Sequence, residues 1–497
     1  MKPLKKLAGQ TVVYGMGTIV PRLLNYLLLT PFYTRIFLEG QYGVLTELYA
    51  YVAFLLVLLT YGMETSYFRF AQSEKNKDSV FTTALSSLFV TSALFILLAL
   101  MFSAEIAALI RYPSHPEYII YFAIIVGADA FASIPFARLR QQNKAFRFAW
   151  IKVFNVATNI FFNFFFLLFC PWFLKDNPES ILNVIYSADI GIGYAFISIL
   201  IASLLTLLIL LPDIFKIKYS FDPSLLKRML AYAYPLLLLG LFGMVNEVSD
   251  KVLFKFLISV PENVINRDNY ILSQLGIYGA NYRLAVLMTL FIQMFRYAAE
   301  PFFFSHAREE NAKRLYASVM KYFIIFCLLI FLLVTLYIDI FKYFIGPDFR
   351  SGLAIVPIVL MANLLLGIFY NLSVWYKLTD KTKFGAMIAF LGAIITIVLN
   401  VLLVPKYGYT GAAWAHLACY FTMVVLSFVG SRKFYKINYD LRNIFFYFMI
   451  AFGLYFLSVY FPLEEGMVKY AVHLLYMIIF LILAVLLEKN KYKAEFK

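Results

Sequence analysis

Charge is scarce in this chain, and long polar stretches are scarcer. Only 14% of its 497 residues are charged, while 63% are hydrophobic. A soluble domain of this size needs more polar surface than that. No polar block is long enough to form a separate soluble domain. Cysteine is nearly absent. Cys170, Cys327 and Cys419 lie inside or at the ends of apolar runs, with the spacing of neither a disulfide framework nor a metal site. The four histidines, His115, His306, His416 and His473, form no ligand pattern. A nucleotide-binding glycine loop is also missing, so ATP is not the driver unless a partner supplies it. The first external connection runs only from Arg35 to Gln41, too short for the loop-borne site of a membrane glycosyltransferase or polysaccharide polymerase. The expectation is a protein that is not an enzyme.

What fills the chain instead is a series of apolar runs of about twenty residues, each able to cross a bilayer core about 30 Å thick. Fourteen spans fit: 10–33, 42–62, 79–102, 117–136, 148–170, 189–212 and 229–258, then 276–297, 317–338, 352–376, 385–404, 410–430, 442–461 and 468–487. The fold class is therefore an all-α polytopic membrane protein. The basic N-terminus, MKPLKKLAGQ, leads into a run that contains Arg22 and has no small-residue cleavage site, so it reads as an uncleaved first span.

The net charge of +15 raises the question of nucleic acid, but its distribution answers it as membrane topology. Of the 43 Lys and Arg residues, 29 fall on one set of connections and 8 on the other, with the same bias at every connection. Arg138, Arg140, Lys144 and Arg147 lie on the rich side; Arg111, Lys342, Arg350 and Lys469 lie on the poor side. Basic connections stay cytoplasmic. The span count is then even, both termini are cytoplasmic, and the expected location is the cytoplasmic (inner) membrane.

The sequence repeats itself. YGVLTELYAYVAFLLVLLTYGMETSYFRFA at 42–71 lies, without a gap, on YGANYRLAVLMTLFIQMFRYAAEPFFFSHA at 278–307. Tyr42-Gly43 falls on Tyr278-Gly279, and Glu64 on Glu300. Asn25 falls on Asn246 and Asn163 on Asn400 at slightly different offsets. Six spans separate the copies, so the halves insert in the same direction. Two pseudo-symmetric six-helix lobes follow, 1–212 and 213–430, with two extra helices in 431–497. Transporters built from parallel repeats place their substrate between the halves.

Few residues can carry chemistry. Arg22 follows Pro21 near the middle of the first span, where a charge costs a few kcal/mol and needs a cavity or a partner. It reads either as an anion-binding residue on a flexing helix or as a structural pair with Asp129 of span 4. Arg283, in span 8, aligns with Glu47; it either pairs with that residue or lines a cavity. Arg296 reads as an i,i+4 partner of Glu300. In span 7, Asn246, Glu247, Asp250 and Lys251 share one helical face, with Glu247 and Lys251 one turn apart. That leaves Asp250 as the acid without a partner in sequence. With Asn246, and Asn400 or Thr396 of span 11, it offers oxygen ligands to Na⁺ or a place for a proton. No other cofactor or metal is expected.

At Thr30 to Phe54, TPFYTRIFLEGQYGVLTELYAYVAF, and Tyr61 to Phe70, YGMETSYFRF, the chain resembles the Wzx-type O-antigen flippases. YKLTDKTKFGA, at 376–386, is a weaker echo. These polysaccharide biosynthesis proteins belong to the superfamily of multidrug, oligosaccharidyl-lipid and polysaccharide exporters. The resemblance implies two six-helix lobes around a V-shaped cavity working by alternating access. It implies an undecaprenyl-diphosphate-linked oligosaccharide as cargo, with membrane lipids, a polysaccharide polymerase and glycosyltransferases as the other partners. Arg22, Arg283 and Asn25 would then meet the substrate. Asp250, Glu247, Asn246, Asn400 and Asp129 would serve ion coupling. The alternative within the superfamily is a cation-coupled multidrug antiporter. Those antiporters carry a carboxylate in the first span, whereas this chain has no acidic residue before Glu39.

Overall fold

A computed structural model describes residues 2–495 apart from Arg308 and Asp380. Met1 and Lys497, the two ends of the topology expectation, lie outside the described residues, as does Arg308 of the basic connections. The described chain is helical throughout. By compactness it divides into two units, Met1–Phe37 with Glu47–Val248, and Leu38–Thr46 with Ser249–Lys497. Compactness and repeat are different criteria, so the lobes 1–212 and 213–430 and the segment 431–497 remain a proposal drawn from the repeat.

The first unit contains α1 (Lys2–Ile36), most of α2 (Glu39–Thr60), α3 (Met63–Ser73), α4 (Lys77–Met101) and α5 (Ser103–Leu109). It continues with α6 (Pro116–Gln141), α7 (Ala145–Phe164), α8 (Cys170–Asp176), α9 (Gly193–Phe215) and most of α10 (Pro223–Leu257). The expected second span, 42–62, ends where Tyr61 and Gly62 take positive φ, at 34° and 73°, and α3 follows. Gly62 has little room for a Cβ, whose nearest neighbour would be Leu236 at 3.0 Å. A π-helical turn at Phe165–Phe169 joins α7 to α8 and carries that span to Asp176, beyond the expected Cys170.

The second unit contains the start of α2, the end of α10, α11 (Arg267–Leu284), α12 (Val286–Ser305), α13 (Ala312–Leu336) and α14 (Ile338–Phe341). A 3₁₀ segment, Pro347–Ile355, leads into α15 (Val356–Leu372) and α16 (Val374–Leu378). Then come α17 (Thr382–Phe434), α18 (Leu441–Tyr460) and α19 (Met467–Glu495). Here the first turns of α2 lie directly on α11. A Cβ at Gly43 would overlap the Leu272 carbonyl, and one at Gly276 the Glu39 carbonyl. Gly40 and Gly43 sit 236 positions before Gly276 and Gly279, so repeat-related glycines form this seam. Small residues permit such backbone approach between membrane helices.

Among the described residues, eleven helices are long and apolar enough to cross a membrane, or twelve with α11 and α12, bent by 50°, taken as one span. The expected fourteen is not reproduced as a count. α1 is not among the eleven, and the expected spans 385–404 and 410–430 merge in the 53 residues of α17. Non-helical Gly408, with φ 55° and ψ −136°, kinks α17 between them. The outward surface of α4 and α18 is apolar, with Leu94, Leu97, Phe445 and Met449 exposed, as suits helices facing lipid.

Candidate functional site

The first unit gathers its polar groups around α1, α6 and α7. α1 stays helical through Pro21 and presents Arg22 on an exposed face. Lys152 of α7 is close enough to feel the charge of Arg22, and also those of Arg140, Asp129 and Glu64. Its ammonium lies 3.9 Å from the centre of the Phe136 ring. Arg140 is ion-paired with Glu64. Asp129 lies near Ser203 and has Lys152 as its neighbouring cation. The Arg22–Asp129 pair that the sequence allowed is not formed. Arg22, Arg140 and Lys152 thus share one neighbourhood with Asp129 and Glu64, and a site that gathers cations suits an anion.

A ladder of amides runs along the same helices. Asn159 Nδ2 donates to Asn25 Oδ1 at 3.2 Å, and Asn163 Nδ2 donates to Asn159 Oδ1 at 3.0 Å. Tyr33 Oη donates to Asn163 Oδ1 at 2.7 Å. Glu47, fully buried, accepts from Tyr112 at 2.5 Å and from Tyr51 at 3.4 Å.

The second unit holds a more enclosed cluster. Asp250, 1% exposed, does have a partner: Lys251 Nζ donates to both carboxylate oxygens, at 3.1 and 3.0 Å. The backbone N–H of Lys251 donates to Oδ1 as well, at 2.9 Å. Tyr278 Oη donates to Oδ2 at 2.5 Å, and His416 Nδ1 stands 3.6 Å from the same atom. The Lys251 ammonium also lies 4.2 Å from the Tyr282 ring centre. On α10, Asn246 is buried and Glu247 exposed. The structure does not bring Asn400 to Asp250. Asn400 Nδ2 donates to the Thr396 carbonyl at 2.8 Å, and the Thr396 hydroxyl to the Gly392 carbonyl at 3.0 Å. The Asn400 carbonyl oxygen is buried without a hydrogen bond. Among the described residues, no three His, Cys, Asp or Glu groups are placed to hold a metal ion.

Two further expectations meet geometry. Arg283 lies beside Tyr42 of the α2 start, close enough for its charge to act on the hydroxyl. Arg296 does not pair with Glu300; its guanidinium lies 3.8 Å from the Tyr370 ring centre, while Glu300 is paired with Lys377 of α16. Sequence reasoning missed Lys152, Asn159 and His416. Each is a polar residue within an apolar run, and that was the available signal.

Helix content and span composition together define a multi-pass membrane protein. The profile of the family described as "Polysaccharide biosynthesis protein" matches residues 7–307. The chain belongs to that family. Comparison with curated proteins finds no match. Among solved structures, it is similar to the lipid II flippase MurJ in an inward closed conformation, with TM-score 0.73 and 15% identity over 98% of this chain and all of that one. It is also similar to an inward-facing multidrug resistance MATE transporter of the MOP superfamily, with TM-score 0.63 and 13% identity over 85% of this chain and 97% of that one. A third similar structure is the MATE multidrug transporter DinF-BH, with TM-score 0.60 and 17% identity over 89% of this chain and 96% of that one. At these identities the likeness shows the shared fold.

Proposed function

We propose that the chain is a flippase. It translocates an undecaprenyl-diphosphate-linked oligosaccharide across the cytoplasmic membrane by alternating access, for a surface polysaccharide such as O-antigen, capsule or exopolysaccharide. The observation that carries this reading is the gathering of Arg22, Arg140 and Lys152 in one neighbourhood, within a chain of the family described as "Polysaccharide biosynthesis protein". Each unpaired sugar hydroxyl costs on the order of several kcal/mol in hydrocarbon, and a diphosphate far more. A cationic, amide-lined path lowers that barrier. Arg22, supported by Arg283, attracts the diphosphate, since a guanidinium meets phosphate oxygens through paired hydrogen bonds. Asn25 offers hydrogen bonds to the cargo.

Coupling is assigned to Asp250, with Asn246, Glu247, Asn400 and Asp129 as further candidates, and the driving ion is Na⁺ or a proton. Because Lys251 covers both oxygens of Asp250, an arriving cation competes with it. Both termini face the cytoplasm, and the polymerase and glycosyltransferases of the same glycan are the working partners.

The second reading is a cation-coupled drug antiporter, favoured by the MATE-like fold. The lack of an acidic residue before Glu39 weighs against it. The test is surface-glycan display in a strain lacking its own flippase, with membrane abundance measured for each variant. Arg22→Glu should abolish display, and Arg22→Lys, which keeps charge but loses the fork, should reduce it partially. Full display by a well-expressed Arg22→Glu variant would sink the anion role.

A further inference from the structure

The second unit contains a polar cavity that the flippase reading does not use. It measures about 280 Å³ and opens at the ends of α13, α18 and α19. Its polar lining includes Asp339, Lys469, Ser458 and His473; its apolar lining includes Leu336, Pro357 and Val459. The short connection 461–466 joins the end of α18 to the start of α19, both of them candidate spans. The cavity therefore lies at the depth where a spanning helix meets the headgroups. Tyr337 and Tyr470 stack beside it, 5.9 Å between ring centres, as interfacial aromatics do.

Its charges are balanced but split. Lys469 and Lys342 both donate to Asp339, and Lys342 also donates to Glu465 at 2.6 Å. Burial pushes the Asp339 carboxyl up, and the hydrogen bonds from Lys469 and Lys342 more than offset this, so it is held below its ordinary value. His473 is 2% exposed. Its Nε2 lies 3.1 Å from the Ser458 hydroxyl, while Nδ1, near the Leu336 carbonyl, makes no hydrogen bond. A buried ring nitrogen without a partner is costly, and this one lines a cavity. Lys469 and His473 stand one turn apart at the start of α19, where the helix dipole adds positive potential. One end of the cavity thus suits an anion, the Asp339 side suits an ammonium group, and the apolar wall suits a chain. The volume falls at the small end of ligand sites, too small for an oligosaccharide.

We propose that this cavity binds a phosphate ester bearing a primary amine, the chemistry of a phosphatidylethanolamine headgroup. The phosphate meets Lys469 and His473, and the amine meets Asp339. The site is independent of the cargo and does not depend on the flippase reading.

Native mass spectrometry of the purified, delipidated full chain tests it, with phosphatidylethanolamine and phosphatidylglycerol offered in parallel. Phosphatidylethanolamine should bind about tenfold better, as expected for one additional charge-assisted hydrogen bond. His473→Phe keeps a ring against Tyr337 and removes both nitrogens. It and Lys469→Ala should weaken binding of both lipids, and Asp339→Asn should erase most of the preference, with thermal stability checked beside each variant. Competition by soluble phosphoethanolamine would show that the headgroup alone suffices. A preference that persists without such competition would assign the site to the intact lipid. Equal binding of the two lipids by wild type, a preference unchanged in a folded Asp339→Asn variant, or binding of both lipids undiminished in a folded His473→Phe variant would overturn the proposal.

Discussion

Asp250 shows how far a single residue could be read. Its depth and scarcity marked it, but its partner was missed. Helical spacing put Glu247 one turn from Lys251 and left Asp250 without a partner in sequence, whereas Lys251 reaches its own buried neighbour, Asp250. His416 and Tyr278 reach the same carboxylate from distant parts of the chain, and no local pattern reports that. A buried pair that loses one member leaves an uncompensated charge, at a cost of about 3–5 kcal/mol. Asp250→Asn alone should therefore lower the melting temperature, and Asp250→Asn with Lys251→Met should recover most of it. If Asp250 also couples transport, both variants should lose dependence on the sodium or proton gradient. A stable double variant that keeps full gradient dependence would move coupling elsewhere, with Asp129 the next candidate.

At the scale of elements, helices were legible because lipid demands about twenty apolar residues per crossing, and the sequence supplies them. Breaks inside those runs were not. Ala285 sits within the expected span 276–297, and only packing decides that the chain turns there. The Tyr-Gly repeat was legible as a pattern; its consequence, repeat-related glycines meeting at one seam, was not. That seam makes a sharp prediction. Gly43→Ala drives a methyl into the Leu272 backbone, which cannot withdraw as a flexible side chain would. The expected cost is that of overpacking, about 1–3 kcal/mol, read as reduced thermal stability in detergent. Gly453→Ala, where an added Cβ meets nothing within 4 Å, is the control and should leave stability unchanged or slightly raised. Equal behaviour of the two variants would contradict the seam.

For the whole molecule, the basic residues predict orientation. The connection at 461–466 should face outward, and the one that carries Arg432, Lys433 and Lys436 should face the cytoplasm. The native cysteines, Cys170, Cys327 and Cys419, are all buried, so a cysteine introduced at exposed Glu464 reports with little background. It should react with an impermeant thiol reagent added outside intact cells, and one at Lys433 should not. The reverse pattern would invert the topology.

The central claim is that this chain moves a lipid-linked glycan past a cation-rich site. Its most direct test is reconstitution of the purified protein in vesicles carrying an undecaprenyl-diphosphate oligosaccharide, with cargo reaching the opposite leaflet scored by a glycan-cleaving enzyme outside. The account predicts translocation by wild type and none by folded Arg22→Glu. Absence of glycolipid movement alongside gradient-driven transport of a cationic dye would contradict it and establish the antiporter reading instead.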